Sequence, residues 1–163
     1  MSGIAWKFGD GISTDNIAPG RYFHLRTNLP ELAKHCLEDA RQDFVSNVSE
    51  GDFVVAGRNF GMGSSREHAP IIIKMTGVRA IIAKSFARIF FRNCINIGLP
   101  AVLLDTDEIN DGDRLEIDLS GGEVIDHTSA KHLKFPPLSS EMTSILKEGG
   151  LIPFVRKYGD LRF

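Results

Sequence analysis

The stretch of sequence that decides the fold is Gly57-Arg58-Asn59-Phe60-Gly61-Met62-Gly63-Ser64-Ser65-Arg66-Glu67-His68-Ala69-Pro70. An apolar, strand-like run, Phe53-Val54-Val55-Ala56, precedes it, and an apolar run that suits a helix follows at residues 71–75. A strand, a glycine turn and a helix start in this order present backbone N–H groups to an anion in α/β proteins. Because the turn also supplies two hydroxyls and a guanidinium, it predicts a small-anion site in an α/β fold.

Two better-known glycine motifs are excluded by single residues. A phosphate-binding P-loop requires Gly-Lys-Ser/Thr after its glycines, whereas this chain has Gly63-Ser64-Ser65. A hydrolase nucleophile elbow requires a glycine two residues after the serine, and Arg66 occupies that position. A small carboxylate is therefore favoured over a nucleotide as the ligand.

The composition suits one globular domain that spans residues 1–163. The 19 basic and 21 acidic residues give no electrostatic reason to bind nucleic acid or an anionic membrane. No apolar run reaches the roughly 20 residues of a membrane helix. The first residues also lack the pattern of a signal peptide, so we expect a cytoplasmic protein.

The chain has two cysteines, Cys36 and Cys94. Iron–sulfur clusters are held by several thiolates, typically about four, so we expect no cluster and no metal site on this chain. Each cysteine lies beside apolar residues in a helix-like segment, which predicts two small buried hydrophobic side chains.

Strand and helix patterns alternate over residues 52–104, which predicts parallel strands. The first helix of this region is predicted to be capped by Ser64 or Ser65 and to end near Thr76, and the second to be capped by Ser85 and to end near Asn96. Turn signals at residues 111–113 and 120–122 flank an alternating run, which predicts a β-hairpin. Residues 9–20 are predicted to form a loop. A strand is expected at residues 4–8 and helices at 139–148 and 151–158.

Three motifs occur in a fixed order along most of the chain. They are Asp10-Gly11-Ile12-Ser13-Thr14-Asp15-Asn16-Ile17, the run from Asn59 to Ala69, and Ala83-Lys84-Ser85-Phe86-Ala87-Arg88-Ile89-Phe90-Phe91-Arg92-Asn93. Together they resemble the small-subunit family of 3-isopropylmalate dehydratase, whose relatives are homoaconitase small subunits and the aconitase C-terminal domain. The resemblance implies a swivelling β/β/α three-layer α/β domain, with a parallel strand–helix–strand core and a flanking β-hairpin.

The same resemblance implies a hydro-lyase that isomerises a substituted malate by dehydration and rehydration. The first choice is the conversion of 2-isopropylmalate to 3-isopropylmalate in leucine biosynthesis. A four-iron, four-sulfur cluster is expected on a large subunit, with which this chain would form a heterodimer or heterotetramer, and no cofactor is expected on this chain. The stoichiometry and the self-association of the isolated chain stay open.

The resemblance assigns roles to four residues of the first two motifs. Ser64 takes the place of the catalytic serine, which removes a proton from the carbon next to a carboxylate. Arg66 is a catalytic residue that anchors the carboxylate, with Ser65 as a second binder. Asp15 matches the early aspartate and is a candidate for substrate binding. By residue type alone, Ser64 is equally suited to a helix N-cap, and Asp15 to a turn that bonds its own backbone.

The segment Phe23-His24-Leu25-Arg26-Thr27 bears on the choice of substrate. Its Leu-Arg-Thr tripeptide resembles homoaconitase loops in which the arginine binds an extra carboxylate, so Arg26 is a candidate substrate-binding residue. An isopropyl group would leave that guanidinium unpaired, which is costly. Phe23-His24 is inserted relative to the family pattern, and the register therefore stays open.

Several functions thus compete. 3-Isopropylmalate is the first choice of substrate, homoaconitate is the second, and another substituted malate such as 2,3-dimethylmalate is the third. A function of a different class is a non-catalytic anion-binding module that keeps the glycine loop.

Overall fold

The computed structural model describes residues 1–161. Its strands are β1 (Ser2–Lys7), β2 (Phe53–Ala56), β3 (Ala80–Ala83), β4 (Ala101–Leu103), β5 (Arg114–Asp118), β6 (Glu123–Asp126) and β7 (Lys131–Lys134). They form one seven-stranded sheet in the order β4-β3-β2-β1-β5-β6-β7. Strands β1 to β4 pair in parallel, and β5 to β7 pair antiparallel. The predicted parallel core and the predicted hairpin are both confirmed.

The helices are short, and the longest has nine residues. They are α1 (Thr14–Ile17), α2 (Leu29–Ala33), α3 (Phe44–Asn47), α4 (His68–Met75), α5 (Arg88–Asn96), α6 (Ser140–Lys147) and α7 (Leu151–Tyr158), with a 3-10 helix at Gly20–Leu25. Helices α4 and α5 are the two crossovers that connect the parallel strands β2, β3 and β4.

The sheet curls as a half-barrel and buries a separate core on each of its faces. Successive side chains of a strand point to opposite faces. Val54 therefore packs with Phe90 and the other helical residues, whereas Val55 packs with Leu115 and Val124 of the antiparallel strands. Strands β2 and β3 are buried on both faces. The predicted β/β/α three-layer fold is confirmed.

Two predicted helix caps are wrong. Helix α4 begins at His68 with Glu67 as its N-cap, so neither Ser64 nor Ser65 caps it. The carbonyl of Ser64 instead accepts a hydrogen bond from the amide of Arg66 at 2.8 Å, which turns the backbone before the helix starts. Helix α5 has Ala87 as its N-cap. The Ser85 hydroxyl accepts from the amide of Asn59 at 2.8 Å and thereby holds the glycine turn.

The predicted loop at residues 9–20 contains a helical turn, α1. Ser13 caps this turn through a reciprocal capping box: its hydroxyl accepts from the Asn16 amide, and the Asn16 side chain accepts from the Ser13 amide at 2.9 Å. This box has Asn at the position usually held by Glu or Gln, which is why the sequence pattern did not reveal it.

Both cysteines are buried, as predicted. Burial raises the pKa of the Cys36 thiol and of the Cys94 thiol well above the ordinary value of 9.0. Both side chains are therefore neutral members of the core. Among residues 1–161, no helix is long and apolar enough to cross a membrane.

Asp52 is the buried polar residue that joins β1 to the start of β2. Its carboxylate accepts hydrogen bonds from the Ile4 amide at 3.1 Å, the Trp6 indole at 2.9 Å and the Ser49 amide at 2.9 Å. A buried donor without a partner costs about 1–3 kcal/mol. One carboxylate thus satisfies three donors that the parallel pairing of β1 and β2 brings together.

We expect Asp52→Ala to lower the free energy of unfolding by roughly 2–3 kcal/mol, because it removes the acceptor of the buried Trp6 indole and of two partly buried amides. Urea unfolding monitored by Trp6 fluorescence measures the change. Asp43→Ala, which removes an exposed carboxylate paired with Arg41, is the control and should cost less than about 1 kcal/mol. Equal costs for the two variants would contradict the role given to Asp52.

Candidate active site

The candidate site lies where the loop between β2 and α4 meets the turn of α1. The two segments run side by side: the Thr14 amide donates to the Met62 carbonyl at 2.8 Å, and the Gly61 amide donates to the Ile12 carbonyl at 2.7 Å. Because the carboxyl ends of parallel strands share one edge of the sheet, loops that follow β1 and β2 meet there. The topology therefore brings the first two sequence motifs into one site.

Two consecutive residues of α1 hold the two ends of Ser64-Ser65-Arg66. The Thr14 hydroxyl donates to the Ser64 carbonyl at 2.9 Å and lies 3.4 Å from the Ser64 hydroxyl. The Arg66 guanidinium donates from Nη1 to Asp15 Oδ1 at 3.1 Å. The backbone of Ser64 and the side chain of Arg66 are therefore both anchored to α1, and Ser65 lies between them in the sequence.

Arg66 has a second tether on the same nitrogen. Its Nη1 also donates to the Ala18 carbonyl at 2.6 Å. Asp15 Oδ1 is itself held by the Gly20 amide at 3.0 Å. Within residues 1–161 the Nε and Nη2 donors of Arg66 bind no protein acceptor. The planar guanidinium is thus fixed at one corner and has donors left for a bidentate carboxylate.

The glycine loop also lies close against α5. A Cβ on Gly61 would overlap Cγ of Phe90, and Gly61 has a φ of +79°, which favours glycine. The loop is held there by the Phe60 amide, which donates to the Ser85 carbonyl at 3.0 Å, and by the Ala87 amide, which donates to the Phe60 carbonyl at 2.9 Å. The third sequence motif, which contains Ser85 and Phe90, is thereby joined to the other two.

These contacts enclose a cavity of about 330 Å³ that is open on one side. Its lining includes Thr14, Gly61, Gly63, Ser64, Ser65, Arg66, Ala87, Arg88, Ile89, Phe90 and Asn93. The volume lies at the small end of the range for ligand pockets, which suits a small carboxylic acid. Within residues 1–161, the amides of Ser64 and Ser65 donate to no protein acceptor, so these two residues of the cavity wall have backbone donors that no protein group occupies.

The structure places three of the sequence-predicted site residues, Ser64, Ser65 and Arg66, in the cavity wall. Asp15 lies behind them and holds Arg66. Sequence reasoning gave no site role to Thr14, Arg88 or Asn93, which also line the cavity. The signal was present, because Thr14 adjoins Asp15 and the other two belong to the third motif. Arg88 and Asn93 join the site through the approach of α5, and Thr14 joins it through its hydrogen bond to the Ser64 carbonyl.

Arg26 is not brought into the cavity wall. Its guanidinium carbon lies 4.2 Å from the centre of the Phe23 ring, and its Nη1 donates to the Phe23 carbonyl at 3.2 Å. Phe23 thus holds Arg26 on the surface. A role for Arg26 in binding substrate stays a prediction.

His68 follows the loop as the first residue of α4. Burial, and secondarily the positive charge of Arg66, lower the pKa of His68 below its ordinary value of 6.5. The imidazole is therefore neutral at pH 7 and adds no charge next to Arg66. The positive charges at the cavity wall come from Arg66 and Arg88.

No group of three or more His, Cys, Asp or Glu side chains among residues 1–161 could hold a metal ion. The cavity wall includes hydroxyls, amides and two guanidinium groups, and the guanidinium groups give it a preference for anions. The arrangement can orient a carboxylate and exchange a proton at Ser64.

The chain is similar in sequence to a known protein family and to individual proteins over most of its length. Residues 12–106 match the family model of the aconitase C-terminal domain. The 3-isopropylmalate dehydratase small subunit 2 of Archaeoglobus fulgidus is 59% identical over 162 residues, which cover 99% of this chain and 98% of that protein.

Two further relatives cover most of the chain. The methanogen homoaconitase small subunit of Methanothermobacter thermautotrophicus is 53% identical over 153 residues, which cover 93% of this chain and 88% of that protein. The crystal structure of a 3-isopropylmalate dehydratase chain from Methanocaldococcus jannaschii superimposes with a TM-score of 0.92 at 47% identity, covering 97% of this chain and 94% of that one. Overall identity therefore does not separate the two substrates.

We expect Gly61→Ala to destabilise the fold by more than the cost of its backbone conformation alone. Gly112, with a φ of +84° and no atom within 4 Å of where a Cβ would stand, is the matched control. Gly112→Ala should cost about 1–2 kcal/mol, since only the left-handed conformation is penalised. Gly61→Ala should cost roughly 1–3 kcal/mol more, because Phe90 must move. Chemical denaturation measures both, and equal costs would show that the loop does not depend on this close approach.

Proposed function

Because this chain belongs to the aconitase C-terminal domain family and, within it, to the dehydratase small subunits, we propose that it is the small subunit of a two-chain hydro-lyase that interconverts 2-isopropylmalate and 3-isopropylmalate, a step of leucine biosynthesis. The observation that carries the proposal is the open cavity whose wall contains both Ser64 and Arg66, with the Nε and Nη2 donors of Arg66 unbound within residues 1–161. A base and a carboxylate anchor, side by side, are what removal of a proton next to a carboxylate requires.

Arg66 would bind the substrate carboxylate through its Nε and Nη2 donors. Its orientation is set beforehand, because Nη1 is held by Asp15 and by the Ala18 carbonyl. Ser65, which lines the same wall, would bind a carboxylate oxygen alongside. A fixed carboxylate places the adjacent C–H bond toward Ser64, and such positioning lowers the barrier through orientation.

Ser64 would remove the proton from that carbon. A serine oxygen acts as a base only when its negative charge is stabilised. Helix α4 begins four residues later, at His68. Its N-terminus therefore does not adjoin Ser64, contrary to the helix cap predicted from the sequence. The neighbouring charge of Arg66 and the unpaired loop amides would stabilise the oxyanion instead. As the C–H bond breaks, its electron pair forms the alkene and the hydroxyl on the adjacent carbon departs. Rehydration in the other orientation completes the isomerisation.

The departing hydroxyl requires an electrophile that the described chain does not offer. A four-iron, four-sulfur cluster on a large subunit would supply a Lewis acid for it. The name small subunit, carried by the relatives, supports a larger partner. Exposed apolar side chains stand beside the cavity mouth, with Met62 at 43% and Ile89 at 54% exposure. Apolar surface beside an incomplete site supports the idea that the partner closes over it.

The position of Arg26 favours the apolar substrate. Stacked on Phe23 and hydrogen-bonded to its carbonyl, Arg26 leaves no unpaired guanidinium to face an isopropyl group. Homoaconitate is the second candidate, because a homoaconitase small subunit is 53% identical to this chain. Another substituted malate, such as 2,3-dimethylmalate, is the third.

We expect Ser64→Ala to abolish turnover in the complex with the large subunit while substrate still binds. A positioned base typically contributes about 10²–10⁴-fold. The measurement is alkene formation from 3-isopropylmalate, assayed anaerobically with reconstituted cluster. Ser120→Ala, in an exposed turn far along the chain, is the control and should keep full activity. If Ser64→Ala keeps near wild-type activity, Ser64 is not the base. Binding without turnover in the wild-type complex would instead support the non-catalytic anion-binding module.

We also expect the wild-type complex to prefer isopropylmalate to homoaconitate, and Arg26→Val to change the ratio of the two kcat/KM values by less than about 3-fold. The reason is that Arg26 lies outside the cavity wall, whereas a charged residue that reads the substrate discriminates by far more than the roughly 10–200-fold of a methylene-sized pocket. A large shift toward isopropylmalate in Arg26→Val, absent in Arg26→Lys, would show that Arg26 turns toward the substrate in the complex.

A further inference from the structure

We propose that Thr14 is a positioning residue for the base: its hydroxyl holds the Ser64 carbonyl while Ser64 is protonated and turns to the Ser64 oxygen when that oxygen loses its proton. The inference rests on the proposed function, in which Ser64 is the base. Thr14 is buried beneath the loop, at 2% exposure, and within residues 1–161 its hydroxyl has no partner other than Ser64.

The distances allow one hydroxyl to serve both oxygens. Thr14 Oγ1 lies 2.9 Å from the Ser64 carbonyl oxygen and 3.4 Å from Ser64 Oγ. A threonine hydroxyl has one donor and two acceptor lone pairs. With its proton on the carbonyl, it can accept from the Ser64 hydroxyl. Once Ser64 has given its proton to solvent, rotation of the Thr14 O–H aims the same proton at the oxyanion. A charge-assisted bond of this kind shortens to about 2.5–2.7 Å, so a shift of under about 1 Å completes it.

The contacts around Thr14 fix its position, and within residues 1–161 its hydroxyl contacts only Ser64. The Ser13 capping box fixes the turn of α1. Gly63 lets the loop come close, because a Cβ there would stand 3.3 Å from Thr14 Oγ1. The adjacent Asp15 binds Arg66. Thr14 and Asp15 thus control the two groups that act on the substrate: one holds the base and the other holds the carboxylate anchor.

Other charged groups near Ser64 are accounted for in the expected pH dependence. Arg66 and Arg88 line the cavity, and Asp15 is paired with Arg66. His68 is the group beside the loop that titrates nearest to neutral pH, with its pKa lowered by burial and then by Arg66. His68→Gln therefore serves to identify any part of the pH profile that belongs to the imidazole.

The test compares Thr14→Val, which removes the hydroxyl at nearly constant volume, with Thr14→Ser, which keeps it. In the complex with the large subunit, kcat and KM for 3-isopropylmalate are measured from pH 6 to pH 10.

We expect Thr14→Val to lower kcat by about 10–100-fold, less than the roughly 10²–10³-fold of a main oxyanion donor, with KM within about 2-fold. Loss of a donor to the oxyanion raises the pKa of Ser64. The rising limb of the profile should therefore move to higher pH, by about one unit. Thr14→Ser should restore both.

Several results would overturn the inference. They are wild-type kinetics in Thr14→Val, a rise in KM with unchanged kcat, or a fall in kcat that neither moves the limb nor recovers in Thr14→Ser. If Thr14→Val fails to fold by circular dichroism, Thr14→Cys replaces it, because a thiol is a weak donor of similar size. Ser64→Ala separates this inference from the proposed function. An inactive Ser64→Ala beside a fully active Thr14→Val refutes only the role of Thr14, whereas an active Ser64→Ala refutes the base assignment itself.

Discussion

The close approach of Gly61 to Phe90 is the constraint on which the site depends. A side chain at residue 61 would overlap the Phe90 ring, and the backbone there has a φ of +79°, so only glycine allows the loop to lie against α5. That contact carries Ser64 and Arg66 to one side of a cavity and Arg88 and Asn93 to the other. Without it, the glycine loop would still follow β2, but its hydroxyls and guanidinium would face open solvent. A packing constraint in the core thus fixes the spacing of polar groups at the surface.

Thr14 and Asp15 are consecutive residues of the short helix α1, yet they contact different residues of the serine–arginine loop. Thr14 is buried and binds Ser64, whereas Asp15 is exposed at its edge and binds Arg66. An isolated four-residue helix is unstable, because nucleation fixes several dihedral angles for one hydrogen bond. The Ser13 capping box and the pairing of Thr14 with Met62 stabilise it here. The site is therefore built from two segments that order each other.

The electrostatics of the cavity suit the binding of anions. Its wall includes two arginines together with hydroxyl and amide groups, which can bind and orient a carboxylate. Within residues 1–161 no cluster of metal-ligating side chains accompanies them, and the two thiols are buried with raised pKa values. Under the proposed function, the electrophile for the departing hydroxide would come from a large subunit, so that it would not have to share a wall with these positive charges.

The sequence by itself determined the parallel strand–helix–strand core, the hairpin and the members of the serine–arginine loop, and the three-layer arrangement came from the family resemblance. The first three of these features depend on residues that are close in sequence. Strand and helix periods, turn residues and a contiguous motif can all be recognised from the order of the residues. The tertiary structure decided what these residues do to one another. Ser64 and Ser65 suit a helix cap by residue type, yet the bonds from Thr14 and from the Arg66 amide keep them outside α4.

Ser85 holds Asn59 across the loop and does not cap its own helix. Arg26 rests on the Phe23 ring, a contact that the sequence pattern did not predict. For the serines, a partner distant in sequence competes with the local capping preference, which is worth only about 1 kcal/mol. Such a small preference is outweighed when tertiary packing provides a better hydrogen bond. The pattern of a single sequence does not identify the distant residue that forms that bond.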